Sequence, residues 1–183
     1  MAPSDEDLML AYAGGDAGAF DALYARHKGP LFRFVLRSVK ARGEAEEIFQ
    51  EIWMRVIESR TRYVVSAKFT TWLYTVAHHR LVDHWRARGL TLVSLDDEEG
   101  GAPEPAAGPS ADPQRTAEGR QSLARLAEAI AALPAAQREA FLLNQEGGLT
   151  AAEIATATGT NEEAAKSRLR YAMNKLREAM GDD

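Results

Sequence analysis

Apolar residues recur along this chain at helical spacing, and nowhere do they alternate cleanly with polar ones as in a strand. Ser4 followed by Asp5, Glu6 and Asp7 reads as an N-cap with an acidic first turn, predicting a short helix to about Ala13 that Gly14-Gly15 ends. Over residues 16–41, Phe20, Leu23, Tyr24, Leu31, Phe34, Val35 and Leu36 fall on one side of a long helical stretch. Gly29-Pro30 is expected to kink or divide it. Gly43 should separate this stretch from a helix over about 44–59, with Ile48, Ile52, Val56 and Trp53 inward. A loop follows, and then a helix over roughly 69–88 with Leu73, Val76, Ala77, Leu81, His84 and Trp85 near one face. Further along, Asp112-Pro113 reads as a helix start. Leu123, Leu126, Ile130 and Leu133 keep helical spacing, and Pro134 opens another helix to about Asn144. The pattern predicts an all-α protein with four helices in its first half and four in its second.

The last two of those helices carry the sharpest local signal. Thr150 with Glu153 makes one T-x-x-E capping box and Thr160 with Glu163 a second, while Gly159 between them can take a left-handed stop. Two capped helices joined across Thr158-Gly159 form a helix-turn-helix. In the second, Ala165, Leu169, Ala172 and Leu176 repeat as a buried stripe, and Lys166, Ser167 and Arg170 project from the other side. From Ala164 to Arg177 there are five bases (Lys166, Arg168, Arg170, Lys175, Arg177) and no acid. A capped basic helix in a bundle would look similar, but turn, caps and charge stripe coincide here. The combination favours a helix that enters the major groove of DNA.

Charge at first points the other way. The 183 residues carry 22 bases and 27 acids, a formal charge of −5. The deficit is local, however. Residues 1–89 hold 13 bases and 11 acids (net +2), residues 90–119 one base and seven acids (net −6), and residues 120–183 eight bases and nine acids (net −1). The middle stretch also holds Pro103, Pro105, Pro109 and Pro113, a composition expected of a mobile tether. The chain therefore divides into a domain over 1–89, an acidic linker over 90–119 and a domain over 120–183. With no cysteine, thiolate chemistry is excluded. No apolar run is long enough to insert in a membrane and the start lacks a signal peptide's basic-then-apolar opening, so a cytoplasmic location is expected.

Residues 60–88 form a second basic concentration, interleaved with aromatics: Arg60, Arg62, Tyr63, Lys68, Phe69, Trp72, Tyr74, Arg80, Trp85, Arg86 and Arg88. Cations among aromatics suit unstacked bases, although several of these rings would be core in any helical bundle. Residues 44–58 differ in sign, with five glutamates against one arginine, and can either dock a basic partner or be solvated. His78, His79 and His84 cluster in sequence with Asp83, but no positioned glutamate base accompanies them. A structural or DNA-facing role is favoured over a metal site. No nucleophile–base pair, phosphate-binding glycine loop or paired-carboxylate motif is present, so neither an enzyme nor a cofactor is expected.

Taken in order, Glu44-Ala-Glu-Glu-Ile-Phe-Gln-Glu-Ile-Trp53, then Phe69-Thr-Thr-Trp-Leu-Tyr-Thr-Val-Ala-His-His-Arg-Leu-Val-Asp-His-Trp-Arg86, then Leu133-Pro-Ala-Ala-Gln-Arg-Glu-Ala-Phe141 leading into the helix-turn-helix resemble the extracytoplasmic-function (ECF) sigma factors of bacterial RNA polymerase. The resemblance spans about residues 8–178 apart from the linker. It implies a sigma region 2 domain, a tether threaded through the polymerase channel and a sigma region 4 domain. It implies that Glu47, Gln50, Glu51 and Trp53 contact the polymerase clamp. Lys68, Trp72, His79, Arg80, Asp83 and Arg86 would read and melt the −10 element. Lys166, Ser167, Arg168, Arg170 and Tyr171 would read the −35 element. The implied partners are core RNA polymerase through its clamp and flap regions, promoter DNA, and an anti-sigma factor.

Two positions depart from the family pattern. His79 stands where the −10 helix often has asparagine, and Glu163-Ala164-Ala165 where the recognition helix often begins Gly-Thr-Val. Two other readings compete. A sigma-like decoy that binds an anti-sigma factor without reading DNA would be expected to lose the basic stripe. A stand-alone helix-turn-helix regulator would leave the acidic 44–58 helix and the aromatic 60–88 patch without a task.

Overall fold

The computed structural model describes residues 1–89 and 117–181. Four helices make a first lobe: α1 (Asp5–Ala13), α2 (Ala17–Val39), α3 (Arg42–Ser59) and α4 (Phe69–Ala87), with a 3-10 turn at Arg60–Arg62. Four make a second: α5 (Ala117–Ala131), α6 (Ala135–Gln145), α7 (Ala151–Thr158) and α8 (Glu162–Met180). The expected helix start at Asp112-Pro113 and most of the expected tether lie outside the described residues. α5 begins at Ala117, within the stretch that composition assigns to the linker.

Local chemistry explains most boundaries. The Ser4 hydroxyl accepts the Asp7 N–H at 3.1 Å while the Asp7 carboxylate accepts from the Ser4 N–H and hydroxyl, closing a reciprocal cap on α1. Asp16 caps α2 by accepting the Gly18 N–H at 2.9 Å. Two boundaries differ from expectation. α2 runs unbroken through Gly29-Pro30, because the buried Leu23, Leu31, Phe34 and Val35 hold both halves on one core. α3 starts at Arg42 and includes Gly43. The reversal comes earlier, at Lys40, which takes a left-handed φ of 68° and donates its N–H to the Leu36 carbonyl. A non-glycine residue pays about 1–2 kcal/mol for that conformation. Here the Lys40 ammonium also donates to the Ala131 carbonyl at 3.1 Å, a contact from the first lobe to the second.

The two lobes share one contiguous apolar core, running from Leu8 and Leu23 through Phe34, Ile52, Leu73 and Leu81 to Leu142, Ile154, Ala172 and Leu176. α7 lies on α4 and α6 on α2. At this junction Tyr74 is fully buried, edge-on to Phe34 with centroids 5.3 Å apart. It packs so closely on Gly147 that a Cβ there would lie 2.9 Å from the tyrosine ring. Burial, reinforced by Glu146 and opposed by Arg33, pushes the Tyr74 hydroxyl far above its ordinary pKa.

Candidate nucleic-acid and partner-binding faces

The helix-turn-helix forms from its caps outward. The Thr150 hydroxyl accepts the Glu153 N–H at 3.3 Å, and the Glu153 carboxylate accepts the Thr150 N–H at 2.8 Å. Gly159 ends α7 in the left-handed region at φ 69°. The cap of α8 falls one residue later than the T-x-x-E pattern predicts. Thr160 spends its N–H on the Ala155 carbonyl, completing the turn, and Asn161 becomes the N-cap, its side-chain oxygen accepting the Ala164 N–H at 2.8 Å. Asparagine outranks threonine as a cap, and that preference was the signal available in the sequence.

α8 buries Ala165, Ala172 and Leu176 against α5, α6 and α7. Lys166, Arg170 and Tyr171 are exposed on its outer side, while Ser167 and Arg168 are half-buried. Lys166 makes an exposed pair with Glu162 at 3.1 Å. The Arg170 guanidinium lies 5.3 Å from the Tyr171 ring centroid, within cation–π range. Glu162 and Glu163, acidic residues awkward for a DNA-facing helix, occupy the first turn, where they favour the positive end of the helix dipole.

On α4, His79, Asp83 and Arg86 form an exposed stripe with spacings of four and three. The other three residues grouped with them by resemblance have different surroundings. Trp72 is half-buried, with its ring 5.1 Å from Tyr63 and 5.8 Å from Phe69. Arg80 pairs with Glu51 of α3. Lys68, exposed at the start of α4, pairs with Glu153 of α7 at 3.0 Å. Asp83 in turn pairs with Arg55 at 3.2 Å, a partner that composition did not single out. The loop leading into α4 exposes Val64 and Val65, a local apolar surface beside this helix.

The three clustered histidines point to three environments. His79 faces solvent, and His78 is buried toward the second lobe. His84 is half-buried beside α3, where burial and then Arg80 hold its pKa below the ordinary imidazole value, against the opposite pull of Glu47 and Glu51. Its Nε2 lies 3.6 Å from Glu44 Oε2, too long for a hydrogen bond. Among the described residues no three His, Asp or Glu side chains converge as metal ligands would.

On α3, Glu47 and Gln50 are exposed and Glu51 is half-buried, with Met54 exposed next to them. Trp53 departs from the surface role that resemblance gives it. Only 5% of it is exposed, and its indole packs against Tyr24, Phe20 and Phe49 with centroids at 5.1, 5.8 and 6.3 Å. Helical geometry accounts for this: Trp53 shares its face with Ile52 and Val56, whereas 47, 50 and 54 share the opposite one.

Comparisons with known proteins agree with this architecture. The Sigma-70 region 2 family model matches residues 23–91 and the Sigma-70, region 4 model residues 123–176. The RNA polymerase sigma factor CarQ of Myxococcus xanthus is 31% identical over 175 residues, covering 95% of this chain and 96% of the relative. The ECF RNA polymerase sigma factor SigK of Mycobacterium tuberculosis is 33% identical over 182 residues, covering 97% and 94%. Among solved structures, the fold resembles the sigma factor RpoE in complex with the anti-sigma factor NepR from Bartonella quintana (TM-score 0.71, 22% identity, 90% of this chain and 98% of that one). It also resembles CnrH in complex with the cytosolic domain of CnrY (TM-score 0.69, 21% identity, 99% of each chain). Among the described residues no helix is long and apolar enough to cross a membrane.

Proposed function

The chain belongs to the extracytoplasmic-function sigma factors, which are transcription-initiation factors and not enzymes, and from that membership we propose that it is a promoter-specificity subunit of RNA polymerase acting in the cytoplasm. The observation that carries the reading is the outer side of α8, where Lys166, Arg170 and Tyr171 stand exposed on a helix with no acid between Ala164 and Arg177. Such a helix fits the major groove, its arginines reaching guanine edges or phosphates and so selecting the −35 element, with Ser167 and Arg168 at its border.

In the first lobe, the His79–Asp83–Arg86 stripe is the surface offered to the −10 element. An unstacked base bound there would return part of the free energy of strand opening. Trp72 supports the stripe from beneath, and Lys68 and Arg80 join it when their ion pairs open. Glu47, Gln50 and Glu51 form the acidic face for the polymerase clamp, with Met54 adding apolar contact and Trp53 fixing the helix from inside. The second lobe is the part suited to the polymerase flap. An anti-sigma factor controls access to these faces in this reading, as the complexes of the structural neighbours suggest.

The test is run-off transcription with core polymerase on promoters of the source genome. A promoter-specific start that depends on the protein is expected; no such start from any promoter refutes the reading. Arg170→Ala is expected to weaken promoter binding about 10- to 100-fold while leaving binding to core polymerase unchanged.

A further inference from the structure

The start of α4 has no cap of its own. A helix leaves its first N–H groups without partners inside the helix, and Lys68, at the N-cap position, has no side-chain oxygen to accept them. The acceptor comes from 63 residues earlier in the chain, where Glu6 of α1 takes the Phe69 N–H on Oε1 at 2.6 Å. A carboxylate there makes a charge-assisted hydrogen bond and suits the positive end of the helix dipole. Glu6 is half-buried, and its neighbour sets its place. Asp5 accepts from Arg26 Nη1 at 2.9 Å and lies 2.8 Å from His27 Nε2, fixing the first turn of α1 on α2. The His27 ring in turn lies 5.3 Å from that of Phe69, so this turn of α1 meets the start of α4 by two routes.

What this cap holds is the entrance to the DNA-facing helix. Tyr63 and Phe69 are buried and Trp72 lies against both. The loop between Tyr63 and Lys68, with Val64 and Val65 exposed, therefore starts and ends on one aromatic cluster. Glu6 and Asp5 also lie close enough to Tyr63 to reinforce the rise in its hydroxyl pKa that burial begins. Further along α4, Arg80, Asp83 and Arg88 pair with Glu51, Arg55 and Glu44 of α3. The helix is thus tied in its second half to α3 and at its first turn to α1. His79 stands ten positions beyond Phe69, about 15 Å of helix. Glu6 can therefore act on the His79–Asp83–Arg86 stripe only through α4.

We propose that Glu6 is a positioning residue for capture of the −10 element: by capping α4 from α1, it fixes the first turn, Trp72 and the 63–68 loop in the orientation the stripe needs to hold an unstacked base. The DNA part rests on the promoter reading above; the cap rests on the contacts alone. The role also accounts for a carboxylate in a lobe that gains nothing from negative charge toward DNA, since its partner is the helix end and not the phosphate backbone. Without Glu6 the Phe69 N–H loses its acceptor and the first turn frays. The binding surface is then assembled in only a fraction of molecules, and the apparent affinity falls by that fraction.

Amide hydrogen exchange of the free full-length chain, followed by nuclear magnetic resonance, tests the cap without polymerase or DNA. In Glu6→Ala the Phe69 amide should exchange about 10- to 100-fold faster, with the amides of α3 and α8 unchanged. Glu6→Gln keeps an acceptor oxygen and should recover most of the protection. Glu6→Asp keeps the charge one methylene short of the Phe69 N–H and should behave as Glu6→Ala, which also supplies a second variant should the alanine fail to fold. Function is read with holoenzyme and a fluorescent single-stranded oligonucleotide carrying the −10 element of a promoter mapped by run-off transcription. Glu6→Ala should weaken that binding about 3- to 10-fold and Glu6→Gln should restore it, with affinity for core polymerase and for duplex −35 DNA unaltered. Asp16→Ala removes the cap of α2 and lowers stability away from α4, so it should leave −10 binding at the native level. The proposal is overturned if the Phe69 amide stays protected in Glu6→Ala and Glu6→Asp, if −10 binding is unchanged where that amide has lost protection, or if Asp16→Ala weakens −10 binding as much. A native chain that gives no promoter-dependent transcript would refute the promoter reading. A native chain that transcribes, matched in −10 binding by Glu6→Ala, would refute the positioning role alone.

Discussion

Trp53 separates a structural from a contact role more sharply than any other residue on α3. Replacing a buried tryptophan with alanine costs about 3–5 kcal/mol, and each of the three ring contacts contributes about 0.5–1.5 kcal/mol beyond area. Set against a total stability of about 5–15 kcal/mol, Trp53→Ala places the first lobe near its unfolding threshold, so loss of polymerase binding in that variant is uninformative. Trp53→Phe is the discriminating change. It keeps an apolar ring among Tyr24, Phe20 and Phe49 and removes an indole N–H that has no acceptor among the described residues. A buried unpaired donor is unfavourable by about 1–3 kcal/mol, and the lost volume acts in the opposite sense by about the same amount for a partial core truncation. The net change should stay within about 1 kcal/mol. Urea unfolding followed by circular dichroism gives the stability, and fluorescence anisotropy with core polymerase gives the affinity. Trp53→Phe should leave both nearly unchanged, while Trp53→Ala lowers the first by about 3–5 kcal/mol. A Trp53→Phe protein of unaltered stability that binds core polymerase tenfold more weakly would refute this assignment, because the indole would then be touching the partner.

Three further outcomes follow from the geometry. Asn161→Ala should destabilise by about 1 kcal/mol in urea unfolding and Thr160→Ala by less than about 0.5 kcal/mol; the reverse order would restore the Thr160 cap. Gly147→Ala puts a Cβ 2.8 Å from the Leu143 carbonyl oxygen and 2.9 Å from the Tyr74 ring, and should cost about 1–3 kcal/mol by overpacking; an unchanged urea midpoint would show that the junction is looser than described. The Glu153 carboxyl is held below the ordinary carboxylate range, first by the Thr150 N–H and then by Lys68. A depressed folded value means that its contribution is complete above the unfolded carboxylate pKa and is lost as pH falls through the folded one. The stability gap between the native chain and Glu153→Gln should therefore be full at pH 6 and close below about pH 4; a gap that grows on acidification would contradict the assignment.

Helix content and helix faces were legible in the sequence because both depend on near neighbours. Periodicity located all eight α-helices of the described residues, and local caps such as Ser4, Thr150 and Gly159 marked ends that the structure keeps. The misses also have local causes. Glycine at 43 drew the boundary away from Lys40, whose left-handed turn is held by a contact with Ala131 far along the chain. Pro30 looked like a break because local propensity cannot register the burial of Leu31, Phe34 and Val35 around it. Trp53 was drawn outward by motif resemblance, although its position beside Ile52 and Val56 had already marked it as inward.

The junction between the lobes was the part least legible, and the reason is general. A hydrophobic pattern identifies which side of a helix is buried without identifying what buries it, and His78 and Glu139 are 61 residues apart. One trace was nevertheless present. Glu139 sits in α6 among Ala135, Ala136, Ala140 and Phe141, on a helix whose other residues are mostly apolar and buried, and a buried carboxylate requires a partner. Glu146 follows seven residues on, about two helical turns, and so returns to the same side. The segment of net +2 charge supplies the histidine and arginines that answer them. Charge segregation along this chain thus has a second consequence beyond its acidic middle stretch. The bases of the first lobe are divided between surfaces facing outward and the junction with the second, so a contact that separates the lobes also changes how much positive charge the first lobe presents to DNA.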